Sequence, residues 1–270
     1  MFNRLLSLLS QVYYIAYFFI LSVIIMTEKN VLVTGSAKRI GKAIALHMAS
    51  NGWNVAIHYN SSEGEARKVL EQIEKFGVKS FLIRADLSDE KQVEDIINKC
   101  QEDLGSISCL INNASIFKND NINNLTSDSW YNHKNVNLYA PILLSGEFAR
   151  NLGDYKGNII NMIDYCVWNL PDKFLSYSLS KFGLWGATQM LAKQLAPNIR
   201  VNAIGLGHTL PNEKETKESF EEARRQTPLQ NGADIDEVCR AIDFILSSPS
   251  YTGQMLALDG GKHLISADFY

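Results

Sequence analysis

Asn30-Val31-Leu32-Val33-Thr34-Gly35-Ser36-Ala37-Lys38-Arg39-Ile40-Gly41 is the stretch on which the fold turns. Val31–Val33 is an apolar run of strand length, and Lys42-Ala43-Ile44-Ala45-Leu46-His47-Met48-Ala49 behind the turn has helical composition. Strand, glycine-bearing turn and helix together make a phosphate cradle. Glycine lets backbone N–H groups approach an anion, and the helix N-terminus adds a favourable dipole. The spacing is not the G-x-G-x-x-G of generic dinucleotide sites, so a plain strand-to-helix turn stays open as the other reading of this loop taken alone.

The same alternation runs on downstream. Strands are expected at Trp53–Tyr59, Ser80–Arg84, Ile107–Ile111, Asn158–Ile163, Arg200–Ile204 and Gln254–Leu258. Helices are expected at Glu65–Phe76, Glu90–Leu104, Ser127–Leu152, around Tyr177, and at Asp234–Leu246, with Gly77 and Gly105 as stops. Strands separated by helices argue for a parallel sheet covered on both faces. His208–Gln230 is polar and holds Pro211 and Pro228; segments not committed to a sheet often build lids.

Composition narrows the function. The 270 residues carry a net charge of −3 with no basic block, which argues against nucleic acid. The cysteines Cys100, Cys109, Cys166 and Cys239 form no C-x-x-C pair and the histidines no H-x-x-x-H pattern, so no metal site is indicated. Reduced core cysteines suit a cytoplasmic protein.

Leu5–Met26 breaks this pattern: it is apolar or aromatic apart from Ser7, Ser10, Gln11 and Ser22, and long enough to span a bilayer. Three readings of the apolar segment 1–26 stand open. It is a membrane anchor, a cover for a partner surface, or untranslated sequence ahead of a start at Met26. The domain proper is expected at 27–270, and membrane association depends on whether residues 5–26 are translated.

Chemistry enters at Tyr177-Ser178-Leu179-Ser180-Lys181. Tyr and Lys at i, i+4 share a helix face, and an ammonium beside a phenol is expected to lower the phenol's pKa from about 10. Asp164 closes the apolar run before it, at the carboxyl end of a strand, where open α/β sheets bind ligands. The tip of the second strand, Tyr59-Asn60-Ser61-Ser62, has no carboxylate for a ribose hydroxyl. Lys38 and Arg39 lie in the adjoining loop, and two cations with two hydroxyls favour the 2′-phosphate of NADP over NAD.

Thr34–Gly41, Asp86-Leu87, Asn112-Asn113-Ala114, Asn137, Tyr177-x-x-x-Lys181 and Asp259-Gly260-Gly261 occur in an order that resembles the short-chain dehydrogenase/reductases. The likeness spans about Asn30 to His263. Two departures point to the pteridine reductase and dihydromonapterin reductase branch: Arg39 replaces the usual middle glycine, and Asp164 replaces the usual serine. Asn113-Ala114-Ser115-Ile116-Phe117 resembles the segment in which that branch's Ser and Phe contact the pterin. Ser61 stands where that branch often has Arg.

The resemblance implies a single-domain, Rossmann-type doubly wound parallel sheet binding NADPH. Gly35, Lys38, Arg39, Ile40 and Gly41 would hold its phosphates, and Tyr59, Asn60, Ser61 and Ser62 its adenosine ribose. Asp86, Leu87, Asn113, Ala114 and Ser115 would line the rest of the cleft, with Tyr177 and Lys181 at the nicotinamide. Catalysis would fall to Asp164, Tyr177, Lys181 and Asn137, the last fixing a water behind Lys181. Arg39, Ser115, Phe117, Asp164 and Tyr177 would meet the substrate, a pterin or a carbonyl compound. A carboxyl in a partly dry crevice is expected to give or relay a proton to a C=N nitrogen. The alternatives are a carbonyl reductase such as a 3-oxoacyl carrier-protein reductase, which expects Ser at Asp164, and a non-catalytic NADP-binding protein. The family's usual homotetramer is the implied assembly.

Overall fold

The computed structural model describes residues 29–212 and 215–265. The apolar segment 1–26 lies outside them, so the expectations placed on it are carried no further. Among the described residues no helix is long and apolar enough to cross a membrane.

Seven strands form one parallel sheet in the order β3-β2-β1-β4-β5-β6-β7. They are β1 Asn30–Val33, β2 Asn54–Tyr59, β3 Ser80–Arg84, β4 Cys109–Asn112, β5 Gly157–Asp164, β6 Ile199–Leu206 and β7 Met255–Leu258. The helices are α1 Arg39–Ser50, α2 Glu63–Glu74, α3 Glu90–Glu94, α4 Ile96–Leu104, α5 Ser127–Lys134, α6 Ala140–Leu152, α7 Leu175–Gln194, α8 Lys217–Arg225 and α9 Ile235–Ser247.

Both sheet faces are buried, which is why the strands read as unbroken apolar runs rather than as alternations. Val31, Val33, Val55 and Ile57 point to one side, against Ile44 and Met48 of α1, Val69 and Ile73 of α2, and Ile242 and Ile245 of α9. Leu32, Ala56 and Leu110 point to the other, against Ile97 of α4 and Leu144, Phe148 and Leu152 of α6. The strand period of two thus assigns neighbouring residues to opposite cores.

The strand order reverses beside β1, which has β2 on one side and β4 on the other. Val33 registers with Ile111, so the loops after β1 and β4 leave the sheet side by side and part to open a crevice. In three places the chain departs from the expected outline, the first being Glu90–Leu104, which is broken at Asp95 into α3 and α4. Ser127–Leu152 is not one helix: a five-residue π-helical turn, Asn135–Tyr139, separates α5 from α6 and contains Asn137. The polar 208–230 stretch holds α8, whose one buried residue is Phe220; a single apolar anchor leaves almost no periodicity to read.

Candidate active site

The turn after β1 is held from three sides. Gly35 adopts φ 64°, a left-handed conformation that glycine enters without Cβ strain. Its N–H donates to Nδ1 of His58 at 3.0 Å, and Ser36 N donates to the His58 carbonyl at 2.9 Å. Nε2 of His58 lies 3.2 Å from the Ala85 carbonyl. With Nδ1 accepting and Nε2 facing a carbonyl, His58 is neutral, its proton on Nε2. Burial pushes its pKa down to about 4. From the β4 side, Thr34 Oγ1 accepts the N–H groups of Asn113 (2.9 Å) and Ala114 (3.0 Å), while Asn113 Nδ2 donates to the Thr34 carbonyl at 2.8 Å. Gly41 completes the cradle: a Cβ there would lie 2.3 Å from the Gly35 carbonyl oxygen and 2.5 Å from Asn113 Nδ2.

Lys38 and Arg39 flank the start of α1, and the Lys38 side chain does not cap it. Lys38 pairs with Glu65 at 3.5 Å in an exposed contact. Arg39 is a left-handed non-glycine residue (φ 53°) whose guanidinium donates to the Pro211 carbonyl at 2.7 Å. It thereby ties the glycine turn to the segment before α8. Ile40 packs on the core. Tyr59 is buried at the tip of β2, Asn60 and Ser61 are exposed, and Ser62 opens α2. A cleft of about 320 Å³ brings Gly35, Asn60, Asp86, Leu87, Ala114 and Ser115 together. Asp86 closes its own turn by accepting Ser88 N and Oγ, both at 2.8 Å. A cradle whose space a Cβ would fill, a helix start uncapped by its own side chain and a cleft continuing from Gly35 to Ser115 fit a dinucleotide.

The far end of the crevice is built by β5 and α7. Asp164, the last residue of β5, accepts the Tyr177 hydroxyl on Oδ2 at 2.8 Å and the Cys166 N–H on Oδ1 at 2.9 Å. Lys181 lies one turn beyond Tyr177, as the i, i+4 spacing requires, with Nζ 5.8 Å from the phenol centroid. Its ammonium is fixed on the Met162 carbonyl at 2.8 Å, and burial lowers its pKa to about 8.

The electrostatics reverse one expectation. Lys181 does not soften the phenol: burial first, then the negative charge of Asp164, push the Tyr177 pKa well above 10. A phenolate here would be desolvated and face a carboxylate, and an ammonium engaged with a backbone carbonyl does not offset both. Tyr177 therefore keeps its proton and points it at Asp164.

Asn137 is tied into the protein through its side-chain amide. It is fully buried, and its amide clamps Ile116 from both sides, accepting Ile116 N at 2.8 Å and donating to Ile116 O at 2.9 Å. It also donates to Ser180 Oγ at 3.1 Å. Asn137 thus fixes the loop after β4 to α7, and the wide π turn is what carries its side chain there. That loop delivers Phe117, half exposed, which stacks on Phe174 (4.5 Å, 17°) and meets Tyr177 edge-on (4.7 Å). Phe174 is left-handed at φ 60°, a strain of roughly 1–2 kcal/mol that tertiary contacts sustain. Ser115 is exposed, its hydroxyl 3.4 Å from the Ile116 carbonyl. The fold therefore gathers Asp164, Tyr177, Lys181 and Phe117 at one point, while Arg39 reaches the 208–216 segment.

His58-Tyr59, with Ser62 following, resembles the second-strand ending of the pteridine reductase branch, but the contacts of His58 come only from the fold. Phe174, an aromatic before a helix, and Asp120, in a loop, carry no local signal.

The family model described as enoyl-(acyl carrier protein) reductase matches residues 35–263. The crystal structure of FolM alternative dihydrofolate reductase 1 from Brucella canis, complexed with NADP, superposes with a TM-score of 0.85 at 41% identity, covering 89% of this chain and 97% of that one. The dihydromonapterin reductase of Citrobacter koseri is 29% identical over 87% of this chain and 96% of its own length. The 3-oxoacyl-(acyl-carrier-protein) reductase of Staphylococcus aureus is 30% identical over 87% of this chain and 98% of its own.

Proposed function

The chain belongs to the short-chain dehydrogenase/reductase family, and from that premise we propose an NADPH-dependent reductase of pterins or dihydrofolate-like substrates, acting on a C=N bond. The hydrogen bond from the Tyr177 hydroxyl to Asp164 Oδ2 at 2.8 Å carries this reading. Serine at position 164 would offer a carbonyl oxygen one neutral hydroxyl. Aspartate instead takes the Tyr177 hydroxyl proton on a carboxylate oxygen, an arrangement suited to passing a proton to a ring nitrogen.

The dinucleotide would lie along Gly35, Gly41, Asp86, Leu87 and Asn113–Ser115, with its 2′-phosphate at Lys38, Arg39, Asn60, Ser61 and Ser62. Its reduced nicotinamide supplies hydride when bound. This chain's residues do the rest. The Tyr177 hydroxyl proton, which points at Asp164, would reach the ring nitrogen through that carboxylate, and solvent would return a proton to Tyr177. Lys181, fixed on the Met162 carbonyl, places its ammonium beside the phenol with Nζ 5.8 Å from the ring centroid. Phe117, backed by Phe174, offers a flat face to a flat ring. Asn137 holds the loop that carries Phe117.

The relatives support this assignment: the FolM structures from Brucella canis and Brucella suis contain NADP, and dihydromonapterin reductases are among the curated relatives. A cytoplasmic homotetramer completes the proposal. Leu179, Phe182 and Met190 form an exposed apolar stripe on α7 that suits an interface between copies, and the four cysteines are free and buried.

The test is NADPH consumption, read by absorbance, with dihydromonapterin, dihydrobiopterin, dihydrofolate and a 3-oxoacyl thioester. Turnover of a dihydropterin is the expected result. Turnover of the thioester alone would replace the substrate class with carbonyls.

A further inference from the structure

The helix that bears Tyr177 and Lys181 begins without a cap of its own. Phe174, at the cap position, is left-handed and contributes no side-chain hydrogen bond. A helix leaves its first amides unsatisfied unless a side chain or a distant group takes them. Here the distant group is Asp120, in the loop after β4. Leu175 N donates to the Asp120 carbonyl at 3.0 Å. Ser176 N donates to Asp120 Oδ1 at 2.9 Å, across 56 positions of sequence. Asp120 is 3% exposed, and its second carboxylate oxygen accepts the Ser129 hydroxyl of α5. Burial pushes the carboxyl pKa up, but the hydrogen bonds from Ser129 and Ser176 outweigh it and leave the group below its ordinary value. The cap is therefore anionic at neutral pH, as a helix N-terminus favours.

The same anchor reaches the aromatic wall. His133 accepts Lys118 N on Nε2 at 3.3 Å, contacts the Ser129 carbonyl through Nδ1 at 2.8 Å, and faces the Tyr177 ring edge-on at 6.4 Å. Phe117 and Asp120 flank this short segment. Tyr177 is the third residue of α7, in the turn that Asp120 holds.

We propose that Asp120 is a positioning residue for the reductase site: it caps the first turn of α7, and so sets the Tyr177 hydroxyl on Asp164 and the Phe174 ring against Phe117. This rests on the reductase reading above.

The test compares Asp120→Ala and Asp120→Asn in the full chain, with active sites counted by NADPH titration. Displacement of a reacting group by about 1 Å costs up to about 100-fold in rate. Asp120→Ala is expected to lower kcat with a dihydropterin by about 10- to 100-fold, with KM for NADPH within about threefold of wild type. Asn still offers Ser176 an acceptor, so Asp120→Asn is expected to restore kcat to within about threefold. An Asp120→Ala protein with unchanged kcat per NADPH site, or an Asp120→Asn protein as impaired as Asp120→Ala, overturns the proposal. Should Asp120→Ala not fold, Ser129→Ala frees one carboxylate oxygen and is expected to lower kcat without changing NADPH affinity; unchanged kcat there overturns it equally. Should wild type reduce no dihydropterin, the substrate reading fails on its own. Asp120 is then judged by amide exchange at Ser176, which should quicken in Asp120→Ala or Ser129→Ala while Leu184 stays protected. Unchanged exchange overturns the proposal.

Discussion

Acidification should loosen this protein through one buried histidine. The folded-state pKa of His58 is about 4, against 6.5 for the free side chain. The sign follows from proton counting: below pH 6.5 the unfolded chain takes up a proton that folded His58 refuses, so stability is lost as pH falls from 6.5 toward 4. At 1.36 kcal/mol for each tenfold change in proton affinity, the full loss from 6.5 to about 4 is about 3 kcal/mol, of which about 2 kcal/mol falls between pH 7 and pH 5. His58→Asn removes the titration and leaves an acceptor near the position of Nδ1. Urea unfolding at pH 7, 6 and 5 should therefore show wild type losing about 2 kcal/mol more than His58→Asn across that range. His208, also lowered by burial, contributes equally to both proteins and cancels. NADPH affinity of the folded protein should hold down to about pH 5 and weaken only as pH approaches 4, where a protonated Nδ1 can no longer accept the Gly35 N–H. Parallel stability profiles for the two proteins would refute the reasoning.

Tyr177→Phe should lower kcat about 100- to 10,000-fold while NADPH binding, followed by fluorescence, stays near wild type; retained turnover would remove Tyr177 as the proton donor. Asp164→Ser removes the carboxylate that, after burial, holds the Tyr177 pKa up. The apparent pKa of the donor in the kcat profile should move down and dihydropterin turnover fall about 100-fold; an unmoved profile would show that the pair is not coupled. Gly41→Ala places a Cβ 2.3 Å from the Gly35 oxygen, so NADPH affinity should drop more than about tenfold by titration. Unchanged affinity would mean that the cradle does not hold the cofactor.

The alternation of strand and helix was legible because it is written in short-range patterns. Apolar runs of strand length, glycines after helices and the Asp-Gly-Gly close at 259–261 all depend on a residue and its near neighbours. Tyr177 and Lys181 were legible for the same reason: i, i+4 on any helix puts them on one face. Asp164 stood out as the residue that ends a buried run. The π turn at Asn135–Tyr139 was not legible, since it depends on Asn137 finding Ile116 and Ser180.

What the chain's own letters determined is therefore the order of the sheet's elements, the cradle after β1 and the three side chains at the end of β5 and on α7. What only the folded molecule decided is how those groups behave. The phenol's pKa rises rather than falls because it sums burial and the Asp164 charge against an ammonium already engaged by the Met162 carbonyl. The helix bearing Tyr177 and Lys181 is capped from 56 positions away, and the glycine turn is held by a histidine 23 positions on. Periodicity is a property of neighbours along the chain, whereas a pKa or a cap belongs to whatever atoms the fold brings within a few ångströms.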